Sequence, residues 1–395
     1  MYSIKNYFKI LSKNGKILLA MSGGIDSSIS SLLLHDMGYE VVGITMKTWD
    51  YQSSGSSKKE TGCCSLESIN DARSIAVKMG FNHYILDIRD EFGDYVIDYF
   101  TDEYMNGRTP NPCVLCNTHI KWEALLKRAK NLDCNYIATG HYAKVRSEND
   151  RYIVSKGIDK KKDQSYALWG ISQKNLSQTI FPLGELNKEE IKKIAIKNGY
   201  KNLVDKSESY EICFVPDDDY RGFLKKRIKN IDKKVGEGNF LNENGEIIGR
   251  HKGYPFYTIG QRKGLGIALG YPVYVTEIKH KTNEVVLGTF DELKRDGMYV
   301  KKLNMMKYDK IFGKMDADTK IRYNDIGSSS IIEQIDDTIK VFFGNGVNAI
   351  TPGQAAVFYE KDDIIGGGWI HSSFNQKFKK YEQKRNISFN TWLWL

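Results

Sequence analysis

Ile17-Leu18-Leu19-Ala20-Met21-Ser22-Gly23-Gly24-Ile25-Asp26-Ser27-Ser28 is the stretch on which the fold turns. Its apolar start reads as a buried strand, and the glycines and serines that follow read as a tight loop opening a helix over 29–37, closed by Gly38. Gly23 and Gly24 carry no Cβ, so the loop can take left-handed angles and bring backbone N–H groups close to an anion. Ser22, Ser27 and Ser28 add hydroxyl donors, one of them available to cap the helix. The Gly-Lys-Ser/Thr ending whose lysine reaches the outer phosphates of a nucleotide is absent. A phosphate-binding loop working through amides and hydroxyls is predicted.

Outward from this loop, short β-prone runs at 16–21, 41–46, 84–87 and 136–139 alternate with helical segments at 66–79, ending at Gly80, and at 121–130. That alternation predicts a parallel sheet with helices on both faces. Ligands of such sheets gather at the C-terminal strand ends, where Ser22–Ser27, Met46 and Gly140-His141 fall. After a helix at 188–198 the texture changes near Tyr220. Residues 235–288 are dense in glycine, and 298–369 read as strands separated by turns at Asn324-Asp325-Ile326-Gly327 and Asn345-Gly346. The length, 395 residues, exceeds what one core supports. The expected fold is α/β: a parallel-sheet phosphate-loop domain over 1–220, a small central β-rich domain over 221–295, a C-terminal β-barrel over 296–378 and a tail over 379–395.

A net charge of +9 favours a polyanionic partner. The charge runs 156–162 and 225–234 read as solvated faces that could also follow a phosphate backbone. No run of eighteen apolar residues occurs and residues 1–14 lack the apolar core of a secretory signal, so a cytoplasmic protein without membrane contact is expected. The tail turns from basic to apolar around Trp392 and Trp394, which predicts docking on the protein's own body.

Six cysteines are too few for a disulfide scaffold of this length and read as thiols for chemistry or metal. In Gly107-Arg108-Thr109-Pro110-Asn111-Pro112-Cys113-Val114-Leu115-Cys116-Asn117, two prolines fix the backbone and predict a constrained turn, not a helix. Cys113 and Cys116 would then precede the next helix, whose positive end, with Lys121, favours thiolate. No second Cys-x-x-Cys exists, and His119 and His141 complete no zinc pattern. Cys213, within Ile212-Cys213-Phe214, is the remaining cysteine with suggestive flanks. Cys63-Cys64 reads as buried or loop thiols, and Cys134 as core.

The loop at 22–27 resembles the Ser-Gly-Gly-x-Asp-Ser pyrophosphate loop (PP-loop) of ATP pyrophosphatases. With Gly-Arg-Thr-Pro-Asn-Pro at 107–112, Cys-Asn at 116–117, Thr-Gly-His-Tyr-Ala at 139–143, Lys-Asp-Gln-Ser-Tyr at 162–166, Ile-Cys-Phe at 212–214, Tyr-Thr-Ile-Gly-Gln-Arg-Lys-Gly-Leu-Gly-Ile at 257–267 and Thr-Pro-Gly-Gln at 351–354, the chain resembles, in order and over nearly its whole length, the bacterial tRNA-specific 2-thiouridylase family. The resemblance implies an enzyme that uses ATP with Mg2+ to adenylate the C2 oxygen of the tRNA wobble uridine, after which sulfur displaces AMP. It implies Cys213 as persulfide carrier, charged by a cysteine desulfurase or relay protein, Cys116 as nucleophile, and a Cys116–Cys213 disulfide at the end of the cycle. It further implies ATP contacts at Ala20, Met21, Ser22, Gly23, Gly24, Ile25, Asp26, Ser27, Met46 and Gly140. Asn111, Pro112 and Cys113 match the segment touching the target base, and His141, Lys162, Asp163, Gln164, Arg322, Tyr323 and Gln354 match its tRNA contacts.

Read one at a time, His141 is an ordinary structural histidine and Lys162 a solvated lysine; only motif context raises them. Many family members carry aspartate where this chain has Cys113, a candidate acid or base that cysteine does not replace. Two sulfur routes therefore stay open: the persulfide, or a 4Fe-4S cluster held by Cys113, Cys116 and Cys213. Two other functions also stand. Another PP-loop tRNA-modifying or amide-forming enzyme would not need the Cys116 and Cys213 pair, and a non-catalytic RNA-binding module would leave the loop without purpose.

Overall fold

The computed structural model describes residues 15–49, 65–206, 212–215 and 219–375. Cys63, Cys64 and the tail lie outside the described residues. The first strands are β1 (Lys16–Ala20), β2 (Glu40–Lys47), β3 (His83–Asp87) and β4 (Tyr136–Thr139), followed by β5 (Ala143–Glu148), β6 (Arg151–Lys156) and β7 (Thr179–Ile180). Five of them form a parallel sheet in the order β3-β2-β1-β4-β7. Central β1 is buried on both faces, with Ile17, Leu18 and Leu19 wholly enclosed, as a parallel sheet covered on both sides requires.

Helix α1 (Ile25–Asp36) starts directly after the loop, four residues before the expected 29–37, so Asp26, Ser27 and Ser28 ride on its first turn. Serine is tolerated there because the hydroxyls fold back on local carbonyls: Ser28 Oγ donates to Gly24 O at 2.7 Å and Ser30 Oγ to Asp26 O at 2.8 Å. Helix α2 (Leu66–Met79) is capped by Ser65, whose side chain accepts from Ser68 N, and ends at Gly80 with φ +75°.

The segment after Pro110 corrects the expected turn. Helix α3 (Pro112–Leu115) places Cys113 inside a helical turn, and a π-helical stretch, Cys116–Lys121, carries the chain into α4 (Trp122–Asn131). Proline excludes a helix only from its interior; at the first helical position its missing N–H costs nothing, and Pro112 sits there behind the Asn111 cap. Helix α5 (Lys188–Lys197) begins with a capping box between Asn187 and Glu190.

The central region pairs β8 (Gly238–Leu241), β9 (Ile247–His251), β10 (Tyr274–Lys279) and β11 (Glu284–Gly288) in the order β10-β11-β8-β9. After it come β12 (Lys294–Met305), β13 (Lys314–Lys320), β14 (Ser328–Ile335), β15 (Thr338–Asn348), β16 (Ala355–Glu360) and β17 (Asp363–Phe374), ordered β12-β15-β14-β13-β16-β17, with β17 pairing back to β12. That closure makes the expected barrel. Asn345-Gly346, expected as a turn between strands, lies inside β15, where the register with β12 slips between Arg295 and Gly297; Gly346 takes φ +65° in this bulge.

The hairpin β5–β6 is a finding outside the expected organisation. It leaves the parallel sheet and joins the edge of the barrel at β17, with Asp363 opposite Ser155. Its turn residues Asn149 and Asp150 have φ +49° and +58°, the geometry of a two-residue hairpin loop, and an Asn-Asp pair flanked by β-prone runs was a legible signal for it.

Candidate active site

The loop between β1 and α1 is shaped by two glycines. Gly23 has φ +71°, and a Cβ on it would lie 2.1 Å from the Ser68 carbonyl oxygen of α2. Gly24 is the N-cap of α1 and brings no side-chain cap, so no hydroxyl takes over the first-turn N–H groups as the sequence had suggested. Ser27 Oγ instead receives the Ser22 N–H at 3.2 Å and donates to Gly24 O at 3.2 Å, which closes the loop into a ring. The first turn of α1, left without a side-chain cap, carries the positive end of the helix dipole, where an anion is favoured. Gly140, directly after β4, packs against this first turn: a Cβ there would stand 3.1 Å from Asp26 C and Ser27 N. Met46 closes the same edge from the end of β2, packed half-buried between two apolar clusters.

Asp26 is not left to solvent. Lys188 Nζ, from the first position of α5, donates to its two oxygens at 2.8 and 3.0 Å, and Tyr142 OH donates to Oδ1 at 2.6 Å. Lys188 and Tyr142 were both missed in the sequence. The only signal for Lys188 is a lysine at the start of a capped helix, where the helix dipole disfavours a cation.

The second wall is the turn before Cys113. Barrel residues hold it: Thr109 N–H donates to Pro352 O at 2.9 Å, Gln354 Nε2 to Pro110 O at 2.8 Å, and Arg108 to Ile370 O at 3.2 Å. Asn111 Oδ1 caps α3 by accepting from Val114 N at 3.4 Å, while Tyr166 OH donates to Ala355 O at 2.9 Å. Cys113 faces solvent at the mouth of this wall, and Cys116 is buried. Protein around Cys113 pushes its thiol pKa up, with Lys121 pulling in the other direction. That direction runs against the thiolate bias expected of Cys113. Cys116 shares one apolar cluster with Phe214 and Val215, the residues directly after exposed Cys213.

Among the described residues no three His, Cys, Asp or Glu side chains gather as a metal cradle. Cys113, Cys116 and Cys213 therefore do not assemble the three-thiolate set that a 4Fe-4S cluster needs.

A family model described as the tRNA methyl transferase HUP domain matches residues 15–217, and models of a PRC-barrel domain and an aminomethyltransferase beta-barrel domain match 221–289 and 295–370. Proteins named tRNA-specific 2-thiouridylase MnmA are similar over about nine-tenths of the chain. Those of Amoebophilus asiaticus, Cytophaga hutchinsonii and Salinibacter ruber are 68%, 64% and 55% identical, over 93%, 93% and 91% of this chain and 99%, 100% and 95% of their own. The chain belongs to the tRNA-specific 2-thiouridylase family.

Against the contacts carried over from that 2-thiouridylase family, the structure sorts the residues. Ala20 to Ser27, Met46 and Gly140 meet at one edge of the sheet. Arg322 and Tyr323 are exposed in the turn between β13 and β14, where Tyr323 OH donates to Asp163 O at 3.4 Å and its ring stands 6.1 Å from Tyr166. Burial, then the charges of Asp163 and Cys113, raises the Tyr323 phenol pKa. Lys162 is half-buried on the neighbouring loop. Other side chains are engaged within the protein. Asp163 accepts from Ser165 N and Oγ at 3.1 and 2.9 Å, Gln164 Oε1 from Tyr142 N at 3.0 Å, and Gln354 serves the Pro110 turn. His141 shares a 2.7 Å hydrogen bond with Thr139 Oγ1 and lies between Trp122 and Phe181; burial, then Lys121, lowers its pKa to about 3, so it is neutral in use.

Proposed function

We propose that this protein installs 2-thiouridine at the wobble position of tRNA, consuming ATP. The observation that carries the reading is the pairing of an amide-lined loop at Ser22–Ser27 with two thiols, Cys116 and Cys213, that border one apolar cluster. The methyl transfer in the family model's description finds no counterpart in this pairing, whereas ATP-driven thiolation uses both halves.

The chemistry follows from what each part can do. Oxide does not leave from the uridine C2 carbonyl, so the C2 oxygen first attacks the α-phosphorus of ATP. The α–β bridging bond breaks and pyrophosphate departs with its electron pair toward the loop amides and the N-terminus of α1. The terminal sulfur of a Cys213 persulfide then attacks C2 and expels AMP. Cys116 thiolate attacks the Cys213 sulfur, forming a Cys116–Cys213 disulfide and releasing the tRNA sulfur as thiolate. A cellular thiol reduces the disulfide, and a cysteine desulfurase or relay protein recharges Cys213. In this reading magnesium would arrive with the nucleotide and would offset charge on its phosphates.

The tRNA is held in this reading by the exposed Arg322 and Tyr323, by Lys162 and by the Asn111–Cys113 turn. The division into a loop domain (1–220), a central domain (221–295), a barrel (296–378) and a tail (379–395) belongs to this reading; the five-stranded parallel sheet and the four-stranded central sheet support the first two units, although hairpin β5–β6 of the first crosses into the barrel sheet. No described helix is long and apolar enough to cross a membrane. Mass spectrometry of tRNA nucleosides from a strain lacking this protein tests the reading. Loss of 2-thiouridine, restored by the wild-type chain but by neither Cys116→Ser nor Cys213→Ser, supports it; undiminished 2-thiouridine with no second thiouridylase overturns it.

A further inference from the structure

The loop lacks the lysine that Gly-Lys-Ser/Thr loops send to the outer phosphates, yet the fold delivers one to its rim. Lys188 comes from 162 residues further along the chain, and its ammonium reaches both oxygens of Asp26, the second residue of α1. The residue is 8% exposed, and its Nζ also stands 5.8 Å from the centre of the Tyr142 ring. Its backbone is pinned: Asn187 and Glu190 form the capping box, and the Lys188 N–H donates to Asp159 Oδ2 at 3.0 Å. Only the four-carbon stem is left to move.

Fold stability accounts poorly for this lysine. A cation at the first position of a helix opposes the dipole, and a buried ion pair gains little over apolar packing because both charges must be desolvated. A buried ammonium at the edge of an anion-binding loop, held by a carboxylate and a phenol, is instead a charge kept close to where phosphate must sit.

We propose that Lys188 is the phosphate-contacting cation of this site: Asp26 and Tyr142 hold its ammonium while the nucleotide is away, and the ammonium passes to the β- and γ-phosphate oxygens when ATP binds. During adenylation it then offsets the charge that builds on pyrophosphate as the α–β bridging bond breaks. The lysine itself forms no covalent bond. The inference deepens the proposed function and rests on it only for the identity of the acceptor.

Binding of ATP, inorganic pyrophosphate and AMP to the full chain, measured calorimetrically without tRNA, tests it. Lys188→Met should weaken ATP and pyrophosphate at least about tenfold and leave AMP within about twofold; tRNA-dependent AMP release should fall about a hundredfold, with Lys188→Arg recovering at least tenfold of it. Equal losses for ATP and AMP, or no loss for either, overturn the assignment. If Lys188→Met does not fold, the wild-type chain decides: ATP and pyrophosphate, but not AMP, should change the reductive methylation rate of Lys188, and an unchanged rate overturns the proposal. A wild-type protein that binds ATP but does not thiolate tRNA would sink the thiolation reading while leaving this test intact.

Discussion

Gln354 in the barrel donates its side-chain amide to the carbonyl of Pro110, 244 residues away, at 2.8 Å, and to that of Thr109 at 3.3 Å. The turn that presents Cys113 and Cys116 is therefore set by another domain. Gly353 fits beside it only without a side chain, since a Cβ there would meet Thr109 O at 2.7 Å.

Gln354→Ala should accordingly act on the thiol turn rather than on the nucleotide. Two carbonyls lose a donor, a cost of about 1–3 kcal/mol where water does not replace it. Thiolation should fall at least about tenfold with ATP affinity unchanged, as single-turnover assays and calorimetry would show. An equal loss of ATP binding would place the residue elsewhere in the mechanism.

Gly23→Ala should abolish nucleotide binding. The residue combines φ +71° with a carbonyl 2.1 Å from where the Cβ would be, so either the loop or the start of α2 must move. Backbone strain of this kind costs about 1–3 kcal/mol before the clash is counted. ATP titration of the folded variant, with circular dichroism as control, checks it.

Cys113→Asp should keep substantial activity with a desulfurase as sulfur source, because Cys113 is neither the sulfur carrier nor the nucleophile of the persulfide route and the family resemblance implies aspartate at this position. Cys113→Ser should keep its activity without added iron. An enzyme that needs iron, and dies with Cys113→Asp, would restore the cluster.

Acid stability should report two buried histidines. Burial lowers His141 to about 3 and His251 to about 4, below the ordinary value near 6.5 that holds in the unfolded chain. Between those limits the unfolded state binds more protons, so stability must rise with pH there and be lost on acidification below about 6.5. Each histidine adds a slope of up to about 1.4 kcal/mol per pH unit. Urea titrations between pH 4 and 7, run for the wild type and His141→Asn, should show a shallower slope in the variant.

RNA affinity should fall steeply with salt, as expected when several phosphates are neutralised, and Arg322→Ala should reduce that slope by about one unit without touching ATP affinity. Filter binding across a salt series decides it.

The sequence by itself determined the parallel sheet, the phosphate loop and the family, because those signals are local. The angles open to Gly23, the buried strand before it and the helix after it are set among residues a few positions apart, and each motif reads on its own. Even so, local rules misled at Pro112, where first-turn position overrides helix breaking, and at Gly346, where a bulge replaces a turn. Only the tertiary structure decided that Lys188 meets Asp26, that Gln354 holds Pro110, that Cys116 shares a core with Phe214, and that β5–β6 joins the barrel. Those partners lie tens to hundreds of residues apart, and no periodicity encodes them. They meet because strand order and barrel closure fix where each chain segment ends, and desolvation then selects which polar groups must pair.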